Sequence, residues 1–367
     1  MAPRTRLQAT GFKTPGFKTT GFGRALTAAL ATLLLLAGCS SSSSGSSKTG
    51  AASGSCPYTF AVITHGDNGN FWSVVYKGAK DAAKDTGCKL SETYGSQQQG
   101  QAQPDDNAEN AQIQNAINAK VNGIIVSDHA PSVMNSTLAA ASDAGIPVVL
   151  VNAGCDDADI AAAKALTCVG QPEQLAGKQA GQRFAKEGAT NVLCVIHQSG
   201  QNLLDRCNGI AQGLGVGQQC STSSAPASGP ACTELILSTP NAASNPQQAV
   251  GQVTAYLQSH PGVNAVMTLN NAIGQALVVA KPANVKIATF DLSSDVQNDL
   301  QASPPTLDFA VDQQQYLQGY LPVEFLYLYA KHEGNAVGGG TTVASGPKLV
   351  DSTNIKSVAA AIAAGDD

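Results

Sequence analysis

The chain has 367 residues, of which only 13% are charged, with 21 Lys+Arg against 26 Asp+Glu. The first 38 residues hold five of the basic residues and no acid, so the remaining 329 carry a net charge of −10. That surplus of acid excludes a nucleic-acid binder, whose phosphate contacts demand a basic footprint. Arg4, Arg6, Lys13, Lys18 and Arg24 precede a charge-free apolar run over residues 25–37. This is the basic n-region and apolar h-region of an export signal. The run is shorter than the roughly 20 residues a membrane-spanning helix needs.

Leu36-Ala37-Gly38-Cys39 closes the run and resembles the bacterial lipobox. The resemblance implies a signal peptide over 1–38, with Cys39 lipidated on sulfur as the new N-terminus and held at the outer face of the membrane. An ordinary signal peptide with an incidental Cys39 is the alternative. Ser40 to Ser44 and the Gly/Ser/Lys stretch that follows read as a flexible tether over 39–56.

Eight cysteines remain: Cys56, Cys88, Cys155, Cys168, Cys194, Cys207, Cys220 and Cys232. An even count in an exported chain reads as four disulfides. Neighbours along the chain form four close pairs, which favours 56–88, 155–168, 194–207 and 220–232 among the many possible connectivities. No CxxC occurs and the five histidines are scattered, so neither a metal nor a cofactor is expected.

From Tyr58 onward, short β-rich runs alternate with helix-period segments. Thr59–Thr64 reads as a strand and Phe71 to Thr86 as an amphipathic helix. A helix carrying Ile113, Ile117 and Val121 precedes a strand at Gly123–Ser127. The Ser132–Ala144 helix precedes a strand at Ile146–Asn152. Further strands are expected at Asn191–His197, Thr233–Ser238, Ala265–Leu269, Lys286–Phe290 and Leu307–Val311. Runs such as Val148-Val149-Leu150-Val151 lack polar alternation and suit strands buried on both faces. The βα alternation predicts an α/β fold of parallel sheets flanked by helices. A chain of this length is expected to divide into two lobes.

Right-handed crossovers place all strand C-termini of a parallel sheet on one edge, where ligands bind. The residues just after the strands are His65 and Asp67, Ser127-Asp128-His129, Asn152, His197, Asn270-Asn271, Asp291 and Asp312-Gln313. Almost all carry hydrogen-bonding side chains. Any one of them could equally be a helix N-cap.

Read in order, Val62-Ile63-Thr64-His65-Gly66, Asn70-Phe71-Trp72, Gly123-Ile124-Ile125-Val126, Gly145-Ile146-Pro147-Val148-Val149, Asp205-Arg206-Cys207-Asn208-Gly209 and Phe290-Asp291 resemble periplasmic sugar-binding proteins of the ribose-binding type. The segment from Asp312 to Pro322 resembles an actinobacterial-type sugar/polyol branch of them. The resemblance covers about residues 57–350. It implies the type I periplasmic-binding-protein fold, with an N-lobe over 57–169 and 314–345, a C-lobe over 170–313 and 346–367, and the ligand in a hinged cleft. By position, Phe71 and Trp72 would stack on sugar C–H groups. Arg206, Asn270, Asp291 and Gln313, the last at the third crossover, would contact hydroxyls, as would Asn152 and Asp128. Asn152-Ala153 stands where the ribose-binding type carries Asp-Arg, and no aromatic occurs over Thr239–Ser244. Ribose is thereby disfavoured, and a pentose, polyol or cyclitol fits as well.

Asn152, Asn270 and Gln313, with Asp291 and Arg206 whose formal charges cancel, point to a neutral monosaccharide or polyol of five or six carbons, and the resemblance further implies an ABC permease as partner, a membrane anchor through lipid, and a monomer. An enzyme is the first rival: no G-x-S-x-G elbow occurs, although Asp128 and Asp291 could imitate a glycosidase pair. Gly213-x-Gly215-x-Gly217 follows a helix rather than a strand, against a nucleotide site. A LacI-type repressor would need a DNA-binding helix pair where the lipobox stands. A sensory protein presenting a furanose signal to a membrane receptor is the alternative to transport.

Overall fold

The structure is a computed structural model that describes residues 56–66, 69–93, 104–240 and 242–367. The expected export segment, Cys39, the expected tether up to residue 55 and Asp67 lie outside the described residues. The strands β1 (Thr59–Ile63), β2 (Lys89–Thr93), β3 (Gly123–Val126), β4 (Val148–Val151) and β5 (Thr167–Gly170) form one parallel sheet. The strands β6 (Asn191–Ile196), β7 (Ala231–Ile236), β8 (Ala265–Thr268), β9 (Lys286–Phe290) and β10 (Phe309–Asp312) form a second. Two late strands complete them. β11 (Thr342–Ala344) joins β5 in parallel, and β12 (Lys348–Val350) joins β10 antiparallel. The orders β11-β5-β4-β3-β1-β2 and β12-β10-β9-β8-β6-β7 match strand for strand, apart from the direction of the last edge strand. Both faces of each sheet are covered by apolar clusters, as the unbroken hydrophobic runs of β4 and β6 require.

Helices α1 (Asn70–Thr86), α2 (Asp106–Asn118), α3 (Pro131–Asp143) and α4 (Asp157–Ala162) connect the strands of the first sheet. α5 (Glu173–Lys186) leads into the second, where α6 (Gln201–Leu214), α7 (Pro246–Ser259), α8 (Asn271–Ala280) and α9 (Ser294–Gln301) make the connections. α10 (Gln315–His332) returns to the first lobe and packs on α1, and α11 (Ala359–Ala364) closes the chain beside α9. Val121 falls past the end of α2, in the buried turn before β3.

The chain passes between the lobes three times, at residues 171–172, 313–314 and 345–347. Gln313 therefore sits at the second passage and not at the third, which is the short link from β11 to β12. Four disulfides join Cys56–Cys88, Cys155–Cys168, Cys194–Cys207 and Cys220–Cys232, each inside one lobe. Cys194–Cys207 ties β6 to α6 next to Arg206.

One helix pair in each lobe packs backbone to backbone. A Cβ on Gly319 of α10 would stand 1.8 Å from the Val75 carbonyl of α1, and a Cβ on Gly177 of α5 would stand 1.9 Å from the Arg206 carbonyl of α6. Gly181, Gly209 and Gly213 continue the second contact. Only glycine permits so close an approach, so the α5 and α6 N-termini are locked side by side.

Candidate functional site

The facing edges of the two sheets enclose a cavity of about 200 Å³. It is lined from the first lobe by His65, Asn70, Phe71, Trp72 and Asn152, and from the second by His197, Asn202, Arg206, Asn270 and Asp291, with Gln313 at a passage between them. Seven of the eight ligand residues expected from sequence thus share one cleft. Asp128 is not among them. It follows β3 and lines a separate neighbouring cavity of about 520 Å³, together with Asp156, Asp159, Glu173 and Asp205. The edge rule places Asp128 at the correct end of its strand, but that end is the back of Asn152, which borders both cavities.

Two backbone turns aim the cleft's short polar side chains. Asn152 follows β4 with φ 63°, and Asp291 follows β9 with φ 72°. Both therefore stand in the left-handed region, where Asn and Asp are the most tolerated side chains after glycine. Each turn is pinned by its own amide, Asn152 N–H to the Val169 carbonyl (3.1 Å) and Asp291 N–H to the Val311 carbonyl (2.9 Å).

The second lobe's polar groups form one chain. Arg206 donates from Nε to Glu173 Oε2 and from Nη2 to Glu173 Oε1, both at 2.7 Å. Nη2 also donates to Gln313 Oε1 at 2.8 Å, and Gln313 Nε2 donates to Asp291 Oδ1 at 2.6 Å. The guanidinium rests on the Phe290 ring, 4.5 Å from its centroid. Burial pushes the Asp291 carboxyl up to about 7, against the pull of Arg206 and Gln313. Asn270 lines the cleft, but its Oδ1 caps α8 by accepting from Ala272 and Ile273 N–H (2.9 and 3.3 Å). Only its amide Nδ2 is left for a ligand.

The first lobe supplies rings. Trp72 packs edge-on to both His65 and Phe71, each at 4.9 Å between centroids. It lies so close to the chain that a Cβ on Gly66 would fall 1.7 Å from its Nε1. His65 Nδ1 is bonded to Ser127 Oγ at 2.9 Å. Burial, with His129 next, holds the His65 ring far below the usual histidine range. Burial, then Arg206, holds His197 at about 3. Both rings facing the cleft are neutral.

Two residues of consequence were not expected from sequence: Glu173, which anchors Arg206, and Asn202, which lines both cavities. The lining over Ala242–Ser244 is free of aromatics, so the cleft has its Phe71–Trp72 wall on one side only. Neutral rings, amides, the Asp291 carboxyl and one guanidinium already bonded to a carboxylate can exchange hydrogen bonds with hydroxyls. Among the described residues, no group of His, Cys, Asp and Glu has the arrangement of a metal site.

The family described as "Periplasmic binding protein domain" matches residues 60–334. A carbohydrate transporter of Acidothermus cellulolyticus, solved with myo-inositol, is similar to this chain: 32% identical over 84% of this chain and 99% of that one, with a TM-score of 0.72. A solute-binding protein of Burkholderia graminis solved with D-arabinose is 21% identical and shares the fold, with a TM-score of 0.67 over 83% of this chain and 98% of that one. A xylose/arabinose-binding protein of Sulfolobus acidocaldarius is 28% identical over 233 residues. That match takes in 58% of this chain, and the chain spans about half the length of that relative, 53%.

Proposed function

The chain belongs to the periplasmic binding protein domain family, and from that premise and the chemistry of its cleft we propose that it is the substrate-binding component of an ABC importer. It captures a neutral monosaccharide or polyol of five or six carbons between its lobes, closes on it by a hinge through the three passages, and delivers it to a permease. It acts as a monomer, without cofactor, tethered to the outer face of the membrane through a lipid on Cys39. The lobes that close are the N-lobe over 57–169 and 314–345 and the C-lobe over 170–313 and 346–367.

One observation carries the reading. The polar chain Arg206–Gln313–Asp291, with Glu173 behind Arg206, faces the ring wall of His65, Phe71 and Trp72 across a small cavity. A pyranose or cyclitol has the matching pair of surfaces: a rim of hydroxyls that both donate and accept, and faces of C–H groups that stack on aromatic rings. At about 200 Å³, the cavity is below the roughly 300–1,000 Å³ of sites for drug-sized ligands, and so suits a single ring. The myo-inositol, D-arabinose and xylose/arabinose in the names of similar proteins are of this class.

Titration calorimetry with pentoses, hexoses and inositols tests the ligand class. At least one neutral member should bind, and Arg206→Ala should weaken it roughly 10- to 150-fold. The figure follows from a charge-assisted hydrogen bond worth about 1.5–3 kcal/mol at 1.4 kcal/mol per decade. Binding of charged solutes only, or unchanged affinity in a folded Arg206→Ala protein, overturns the reading. Anchoring and delivery are tested in cells whose only copy is Cys39→Ala. The protein should leave the membrane fraction and uptake of the labelled ligand should fall. Full retention with membranes at normal uptake rules both out.

A further inference from the structure

We infer that Glu173 decides the charge class of ligand the cleft accepts: bound to Arg206 from behind, it cancels the only strong cation among the described residues lining the cavity, so neutral sugars enter and sugar acids are refused. The inference rests on the sugar or polyol reading of the cleft.

Glu173 does not line the sugar cavity. It lies in the first turn of α5, facing the neighbouring acidic cavity, and reaches Arg206 through both carboxylate oxygens at 2.7 Å. The side chains are 9% and 3% exposed, so the pair is screened little by solvent. Gln171 Nε2 adds a third donor to Glu173 Oε2 at 2.6 Å. The two partners cannot drift apart, because the glycine contacts of α5 and α6 fix their helix ends against each other.

Among the described residues, the titratable groups lining the sugar cavity are His65, His197, Arg206 and Asp291. Both histidines are neutral there. With Arg206 matched by Glu173, no uncompensated positive charge among the described lining residues faces the ligand, so nothing there draws in a carboxylate or phosphate. Without Glu173, Arg206 would face the ligand with a guanidinium whose fork suits a carboxylate. The same pair leaves Nη1 outside the bonds to Glu173 and Gln313, so the ion pair removes the charge attraction while keeping a donor for a hydroxyl. Glu173 is thus a positioning and charge-cancelling residue rather than a ligand contact.

The test compares neutral sugars with their acids of the same ring, D-glucose with D-glucuronate and D-galactose with D-galacturonate, alongside myo-inositol, by calorimetry at low salt. Wild type should bind a neutral probe and prefer it at least 100-fold over the acid. Glu173→Gln should narrow that preference at least tenfold, and Glu173→Asp should retain it. Circular dichroism and melting establish that each variant folds. The double variant Glu173→Gln/Arg206→Gln removes both charges together and should refuse the acid again. A preference unchanged in folded Glu173→Gln overturns the inference, as does a double variant that admits the acid, since the effect then does not run through Arg206. If wild type binds no neutral probe, the sugar reading itself falls.

Discussion

The two walls of the cleft come from lobes that repeat one strand order yet carry opposite kinds of chemistry. Their correspondence extends to detail. Each has a histidine just after its first strand, His65 and His197, and a left-handed polar residue after its fourth, Asn152 and Asp291. Each also has a glycine-seated helix pair. On this common frame the first lobe places rings at the head of α1, where the second places Arg206 on α6, backed by Glu173 of α5. The fold provides equivalent addresses, and function is written by what occupies them. A flat apolar face on one side and a polar chain on the other match a ligand that is itself two-sided.

The largest expected effect asks whether the lobes are mechanically equivalent. Gly177→Ala and Gly319→Ala each force a Cβ to within 2 Å of a carbonyl oxygen of the partner helix. Each should cost about 2–3 kcal/mol despite the better helix propensity of alanine. For a lobe of this size that is a fall of roughly 5–10 °C in Tm by calorimetry. A Tm within 2 °C of wild type in either variant would show that its helix pair is not held by backbone contact.

A smaller effect separates the cleft from the cavity beside it. Burial raises both Asp128 and Asp291 to about 7, Asp128 with help from Glu109 and Asp159. Unfolded, both ionise near 4. The folded state therefore holds the proton longer, and the stability linked to each group is complete below pH 4 and lost as pH rises through about 7. Asp128→Asn and Asp291→Asn should each gain Tm relative to wild type between pH 4 and pH 7.5. Only Asp291→Asn should weaken sugar binding, because Asp128 lies outside the cleft. Loss of affinity in Asp128→Asn would put that residue back in the binding site, and a pH-independent difference in Tm would deny its raised ionisation.

The strands were legible where burial leaves a mark. β1, β3, β4, β6, β8, β9 and β10 are apolar runs, and the sequence reading located all of them to within a residue or two. β2 escaped because it is a sheet edge of alternating exposed residues, Lys-Leu-Ser-Glu-Thr. β5, β11 and β12 escaped because Thr-Cys-Val-Gly and two three-residue segments carry no apolar run, and partners in the sheet define them. The cleft was legible because parallel topology converts strand ends into an address. Asp128 shows the limit of that rule, which names an edge and not the side of it. Glu173 was invisible to it, since its role depends on how α5 meets α6. A signal was nonetheless present: Gly177-x-x-x-Gly181 and Gly209-x-x-x-Gly213 announce a close helix pair, with Glu173 and Arg206 each one turn ahead of the first glycine.

The disulfides have a consequence for the order in which the chain can mature. Every bridge joins a cysteine to the next one along, 56 to 88, 155 to 168, 194 to 207 and 220 to 232. A chain crossing a membrane N-terminus first delivers these thiols to an oxidising space in just that order, and coupling each pair on arrival makes native bonds alone, with nothing to reshuffle. The ninth cysteine, Cys39, arrives before all of them. Left free, it would compete with Cys88 for Cys56. The proposed acylation of its sulfur would take it out of the queue, so one modification would both moor the protein and keep its covalent framework in register.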